Sequence, residues 1–212
     1  MNNFSDSKYK ACPLITDESD DKIYQSKHEV CPDIADEPSG KVYRSKYEAY
    51  PFLGDTANDL RCDFEILSDE IASLTGLLRA QIKDESLRAE LAFICELIYH
   101  INPTLRTRLT VTAEELQHLE ALVERLQNQA GARCKQFVLP MGSPSGALAH
   151  VLRARCKALV RLLYRYSYQG QPVDELLLDI TNLLSGYFFY LALQLNAVDG
   201  VEEVAYISRN YR

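Results

Sequence analysis

Four cations at positions 153, 157, 161 and 165 follow a turn rich in proline and glycine, and this is where the chain could do chemistry. Phe137-Val138-Leu139-Pro140 reads as a short extended entry and Met141-Gly142-Ser143-Pro144-Ser145-Gly146 as a built turn. A helix from about Ala147 should follow, capped by Ser143 or Ser145 with Pro144 in its first turn. Leu148, Val151, Leu152, Cys156, Leu159, Leu162 and Leu163 then recur at helical spacing, while Arg153, Lys157, Arg161 and Arg165 step by four along a neighbouring stripe. Two readings are open. The stripe is a solvated or carboxylate-paired face, as charge stripes usually are. Alternatively it is an anion site, because Arg and Lys give charge-assisted hydrogen bonds to the oxygens of a polyphosphate.

The elements that must position such a stripe are drawn from 212 residues, enough for one well-buried domain and a tail. A net charge of −7 argues against a nucleic-acid partner. The start, Met1-Asn2-Asn3-Phe4-Ser5-Asp6, has no basic region before an apolar run, and no uninterrupted apolar stretch reaches membrane-spanning length, so a cytoplasmic protein with no membrane partner is expected. Cys12, Cys31, Cys62, Cys95, Cys134 and Cys156 are scattered without a C-x-x-C pair, which favours reduced structural thiols. His28, Cys31 and Cys62 match no standard metal-ligand spacing, and no metal site is expected.

The first sixty residues hold seven basic and twelve acidic side chains, leaving the other 152 nearly neutral, and they repeat. Ser7-Lys8-Tyr9-Lys10-Ala11-Cys12-Pro13 returns as Ser26-Lys27-His28-Glu29-Val30-Cys31-Pro32 and as Ser45-Lys46-Tyr47-Glu48-Ala49-Tyr50-Pro51, each start 19 residues after the last. Such units are too short and polar to bury a core. They suit short linear motifs whose copies give avidity for a multivalent partner such as a shell, a scaffold or another enzyme. The alternative is a duplicated segment without a role; a haem-ligating role for the two Cys-Pro pairs is weakened by Tyr50 in the third copy.

From Asp63 the pattern is helical. Phe64, Leu67, Ile71, Leu74, Leu77 and Leu78 define a first helix to about Ile82, Asp84-Glu85-Ser86 opens a second that ends at Asn102-Pro103, and Thr112 with Glu115 forms a capping box for a third that Gly131 stops. The cationic helix is the fourth. A fifth, from Val173 to about Asn196, is apolar on more than one side and should be central or shared with another subunit. The fold class is all-α, a five-helix antiparallel bundle over residues 41–200, with a low-structure tail over 1–40 (the third copy continuing to about 59) and a C-terminal segment over 201–212.

Phe137-Val138-Leu139-Pro140-Met141-Gly142-Ser143-Pro144 with His150-Val151-Leu152-Arg153-Ala154-Arg155-Cys156-Lys157 resembles the signature of PduO-type ATP:cob(I)alamin adenosyltransferases, F-[IV]-L-P-G-G-[ST]-P and H-x-x-R-x-x-C-R-R-x-E-R. Arg61-Cys62-Asp63-Phe64-Glu65-Ile66-Leu67-Ser68-Asp69-Glu70-Ile71 is similar to its R-V-E-A-Y-G-T-x-D-E-L, and Asn182-Leu183-Leu184-Ser185 to its N-R-L-S, in the right order over residues 41–198. The resemblance implies a homotrimer with sites between subunits, ATP with Mg as co-substrate, and cobalamin as the acceptor of the adenosyl group. It implies that Phe137 covers the lower corrin face, that Asp69 and Arg153 form a salt bridge between subunits, and that Asn182 and Ser185 face the nucleotide.

The chain departs from that pattern on the phosphate side. The family's glycine-rich T-x-x-G-D-x-G should follow Lys41-Val42-Tyr43, where this chain has Arg44-Ser45-Lys46-Tyr47-Glu48-Ala49-Tyr50-Pro51. Lys157 stands for the first arginine of the R-R pair, Ala158 for the second, Val160 for the glutamate, and Gly186 for the aspartate after N-R-L-S. Two functional readings follow: an adenosyltransferase in which Lys157, Arg161, Arg44 or Lys46 replaces the lost contacts, which is placed first, or a catalytically impaired corrinoid-binding or structural trimer that presents its tail repeats to a shell, scaffold or enzyme assembly, within a protein-bounded compartment.

Overall fold

A computed structural model describes residues 43–135 and 137–210; the first two repeat copies, with Cys12, His28 and Cys31, lie outside the described residues. The chain divides into two compact units at Gly54/Asp55. In the N-terminal unit, residues 43–54 form turns, the Arg44 guanidinium donates to the Gly54 carbonyl at 3.0 Å, and the Lys46 ammonium sits 5.0 Å above the Tyr47 ring.

The second unit is all-α, with five helices: α1 (Leu60–Gln81), α2 (Glu85–Ile101), α3 (Ala113–Ala130), α4 (Pro144–Tyr168) and α5 (Glu175–Val198). Each begins at a side chain able to accept an orphan backbone N–H: Asp59, Asp84, Thr112, Ser143 and Asp174. Thr112 and Glu115 form the expected capping box. Two starts differ from the sequence expectation: α1 begins at Leu60 rather than Asp63 because Asp59 caps it, and α5 at Glu175 rather than Val173 because Asp174 does. Helix α4 has the expected Ser143 cap and first-turn Pro144, which places its start three residues before Ala147.

Helix α4 packs chiefly on α5 and also on α1; α5 packs on α3, and α1 on α2. Side chains close the circle between α2 and α3: His118 stacks on Phe93 with ring centroids 4.4 Å apart, and Arg125 pairs with Glu90. The core runs through Phe64, Ile71, Leu78, Leu91, Ile98, Leu119, Leu152, Leu159, Tyr187 and Phe188, all fully buried. Val151, expected on the apolar face of α4, is instead exposed.

Helix α5 corrects another expectation, since by length and composition it could cross a membrane. Most of it is buried between α3 and α4, where an all-round apolar helix belongs in a bundle. Cys62 and Cys156 are buried and Cys95 partly so, all three as free thiols, and burial pushes each thiol upward.

Candidate functional site

The turn before α4 is held from three sides. Residues 137–139 run antiparallel to 204–206: Leu139 N–H donates to the Val204 carbonyl and Tyr206 N–H to the Phe137 carbonyl, both at 2.8 Å, around a bridge between Val138 and Ala205. Arg133 forks across the chain's end, donating to the carbonyls of Leu193 at 3.1 Å and Val201 at 2.9 Å and pairing with Glu203 at 3.1 Å. From α5, the fully buried Asn196 accepts the Ser143 N–H at 3.0 Å and donates to the Met141 carbonyl at 3.4 Å. Asn196 can stand there because its neighbours are glycines. A Cβ on Gly142 or Gly146 would overlap its amide, and Gly142 has φ +143°, a conformation L side chains rarely adopt. Beyond the turn, Ser143 caps Gly146 N–H, and the Ser145 hydroxyl donates to Asp199.

This frame fixes the backbone of Phe137 while leaving its ring half exposed, with Met141 exposed nearby in the same segment. A rigid backbone presenting an apolar ring to solvent suits a flat apolar ligand.

Along α4 the next groups face α5. The rings of His150 and Phe189 lie 6.4 Å apart, and the Ser185 hydroxyl donates to the Arg153 carbonyl at 3.4 Å. These contacts set the antiparallel register, so that Lys157, one turn beyond Arg153, comes level with Asn182, one turn before Ser185. Lys157 and Arg161 are exposed and form no ion pair among the described residues; Arg155, on the adjoining face, pairs with Glu70 of α1 at 2.7 Å. Among the described residues the stripe carries no carboxylate partner, which leaves the solvated-face and anion-site readings. Arg153 is partly buried, its Nε has no partner, and burial disfavours its charge. Asn182 is exposed, its amide donating to the Leu178 carbonyl at 3.0 Å.

Asp69 and Arg153 are not paired within the chain. Asp69 is exposed on α1, where it accepts the Tyr99 hydroxyl at 2.7 Å and raises the pKa of that phenol. Arg44 and Lys46 belong to the N-terminal unit. Sequence reasoning missed Asn196 and Arg133, which build the turn, and His150, which is 3% exposed with neither ring nitrogen partnered. Among the described residues no three His, Cys, Asp or Glu side chains gather to hold a metal ion.

Fold and site together define a helical-bundle protein with a fixed aromatic platform and an unpaired cationic helix face at one helix pair. Residues 58–195 match the family model for cobalamin adenosyltransferase, and the chain belongs to that family. A corrinoid adenosyltransferase from Bacillus subtilis (strain 168) is 29% identical over 147 residues, covering 65% of this chain and 75% of that one. Among solved structures, a Phe→His variant of the PduO-type ATP:corrinoid adenosyltransferase from Lactobacillus reuteri, complexed with cobalamin and ATP, superposes with a TM-score of 0.65 at 22% identity, covering 77% of this chain and 97% of that one. An Arg→Lys variant from the same organism, complexed with ATP, gives 0.63 at 24% identity over 71% and 88%. These likenesses confirm the all-α fold.

Proposed function

We propose that the chain transfers the 5′-deoxyadenosyl group of ATP to cob(I)alamin. The cobalt nucleophile forms a Co–C bond to C5′, the C5′–O bond breaks, and its electron pair leaves with triphosphate. The observation that carries this reading is the unpaired cationic face of α4, Arg153, Lys157 and Arg161, level with Asn182 and Ser185 of α5. Cations there stabilise the charge that collects on the leaving triphosphate and hold it in line. Phe137, on its fixed backbone, covers the lower corrin face and keeps water from the cobalt. Magnesium bound with ATP would supply further neutralisation of the triphosphate charge. Asn182 and Ser185 contact the nucleotide, with Arg44 and Lys46 as further phosphate contacts replacing the glycine-rich loop.

The exposed position of Asp69 and a part-exposed Arg153 guanidinium with no ion pair among the described residues support a homotrimer in which each pairs with its counterpart across a subunit boundary. The three repeat copies support docking of that trimer to a multivalent shell, scaffold or enzyme. Deleting residues 1–40 should abolish co-assembly and leave the bundle folded; undiminished partner binding would refute the docking role.

The deciding experiment is the anaerobic conversion of cob(II)alamin, under a reductant, to adenosylcobalamin with ATP, followed by absorbance. Product that is lost in Phe137→Ala supports the transferase. A four-coordinate cob(II)alamin spectrum without product indicates a corrinoid binder whose phosphate side is inactive, and no spectral change at all refutes the reading.

A further inference from the structure

His150 lies in the first half of α4, three residues before Arg153; its ring stands 6.4 Å from that of Phe189 on α5, and the Arg153 carbonyl accepts the Ser185 hydroxyl of the same helix. Its imidazole is almost wholly buried, yet among the described residues neither Nδ1 nor Nε2 has a partner, and one turn along the helix the buried Nε–H of Arg153 has none either. Three polar atoms without partners within one helical turn are uncommon, because a buried donor or acceptor left alone costs about 1–3 kcal/mol. The imidazole is held neutral, its pKa drawn down to about 4 by burial first and by the Arg153 charge second. A neutral imidazole carries one acceptor nitrogen and one N–H, whereas a guanidinium only donates. The two side chains are thus chemically matched. Three residues apart on one helix, they lie on the same face, where a single bridging water would satisfy both.

Resting on the proposed transferase reading, we infer that His150 is a positioning residue for the reaction: its acceptor nitrogen, relayed by one buried water, holds the Nε–H of Arg153 and fixes the guanidinium at the site. His150 acts through Arg153, and so its removal should lower turnover while substrate binding changes little. Arg153 without this partner keeps its charge but gains rotational freedom about its side chain, and misplacement of a site group by about 1 Å can cost roughly 100-fold in rate.

The test uses the full chain with His150→Phe, which fills the space without a polar atom, and His150→Gln, which restores an acceptor. Thermal unfolding verifies that each variant is folded. His150→Phe should lower kcat by about 10- to 100-fold with KM for ATP and cobalamin changed less than about threefold, and His150→Gln should recover most of the loss. Full turnover in His150→Phe would overturn the inference and leave His150 as a buried packing group. A second reading does not need activity. In 15N spectra of the imidazole, one ring nitrogen of the wild-type protein should show the shift of a hydrogen-bonded acceptor, and that shift should be lost in Arg153→Met. Unchanged nitrogen shifts in Arg153→Met would overturn the link. If the wild-type chain makes no adenosylcobalamin, the transferase reading fails, and the nitrogen shifts alone decide whether His150 holds Arg153.

Discussion

The two halves of the candidate site are built in opposite ways. The turn carrying Phe137 is tied by backbone pairing to residues 204–206, by the Arg133 fork and by buried Asn196, all from one chain. The α4 face carrying Lys157 and Arg161 is open, exposed and unpaired. The difference separates two requirements of the reaction. A platform that only excludes water and orients a planar substrate can be finished in advance, because its job is shape. Cations that must meet a charge developing on a leaving group are most effective when no resident carboxylate already neutralises them.

The largest effect that would break the contrast is expected in the turn. Gly146→Ala drives a Cβ into the Asn196 amide and against the Ala192 carbonyl at 3.2 Å, and should cost about 3–4 kcal/mol, read as a fall in the denaturant midpoint at constant slope. An unchanged midpoint would mean that the turn is looser than its hydrogen bonds indicate. Next is the pH dependence of stability from His150. Its folded pKa is about 4 against an ordinary 6.5, so between these values the unfolded chain takes up a proton that the folded chain refuses. Stability should be full above about pH 6.5 and fall by about 3 kcal/mol as pH drops to 4, beyond the loss seen in His150→Phe over the same range. Equal slopes for the two proteins would remove His150 as the cause.

Phe137→Ala should lower adenosylation about 100-fold, near 2.7 kcal/mol, with a melting temperature within a few degrees of wild type, since the ring is half exposed. A matching loss of stability would show the ring to be structural. The smallest change sharpens the open half: Lys157→Arg restores a bidentate fork and should lower KM for ATP about two- to fivefold at unchanged melting temperature, worth under about 1 kcal/mol. No change in KM would place the triphosphate away from this side chain.

Much of this was legible in the sequence, for reasons that differ by residue. The five helices follow from apolar periodicity, and Thr112 and Ser143 were readable as caps because their side chains act on backbone within three residues. Asn196 was not. It lies in the last turn of an apolar helix, and what it binds is 53 residues away in sequence. Its only signals were its own polarity and two glycines placed where no local turn type demands both. Arg133 was invisible for the same reason, its partners lying 60 and 68 residues on. His150 was read as one letter of a motif; its missing partners become evident only once burial is known. Asp69 in the middle of α1 and the stripe on α4 were legible as charges, but not as charges without an ion pair among the described residues, because pairing is a property of neighbouring helices.

The pairing of residues 137–139 with 204–206 also orders events in time. A chain emerging from the ribosome presents α1 to α4 well before Asn196 and residues 201–206 exist outside the exit tunnel, so the turn that carries Phe137 must wait, unfinished, until they follow. Release between residues 200 and 206 spares most of the helical bundle and removes the pairing that frames Phe137, which makes this stretch a checkpoint on whether the newly made protein can complete its candidate site.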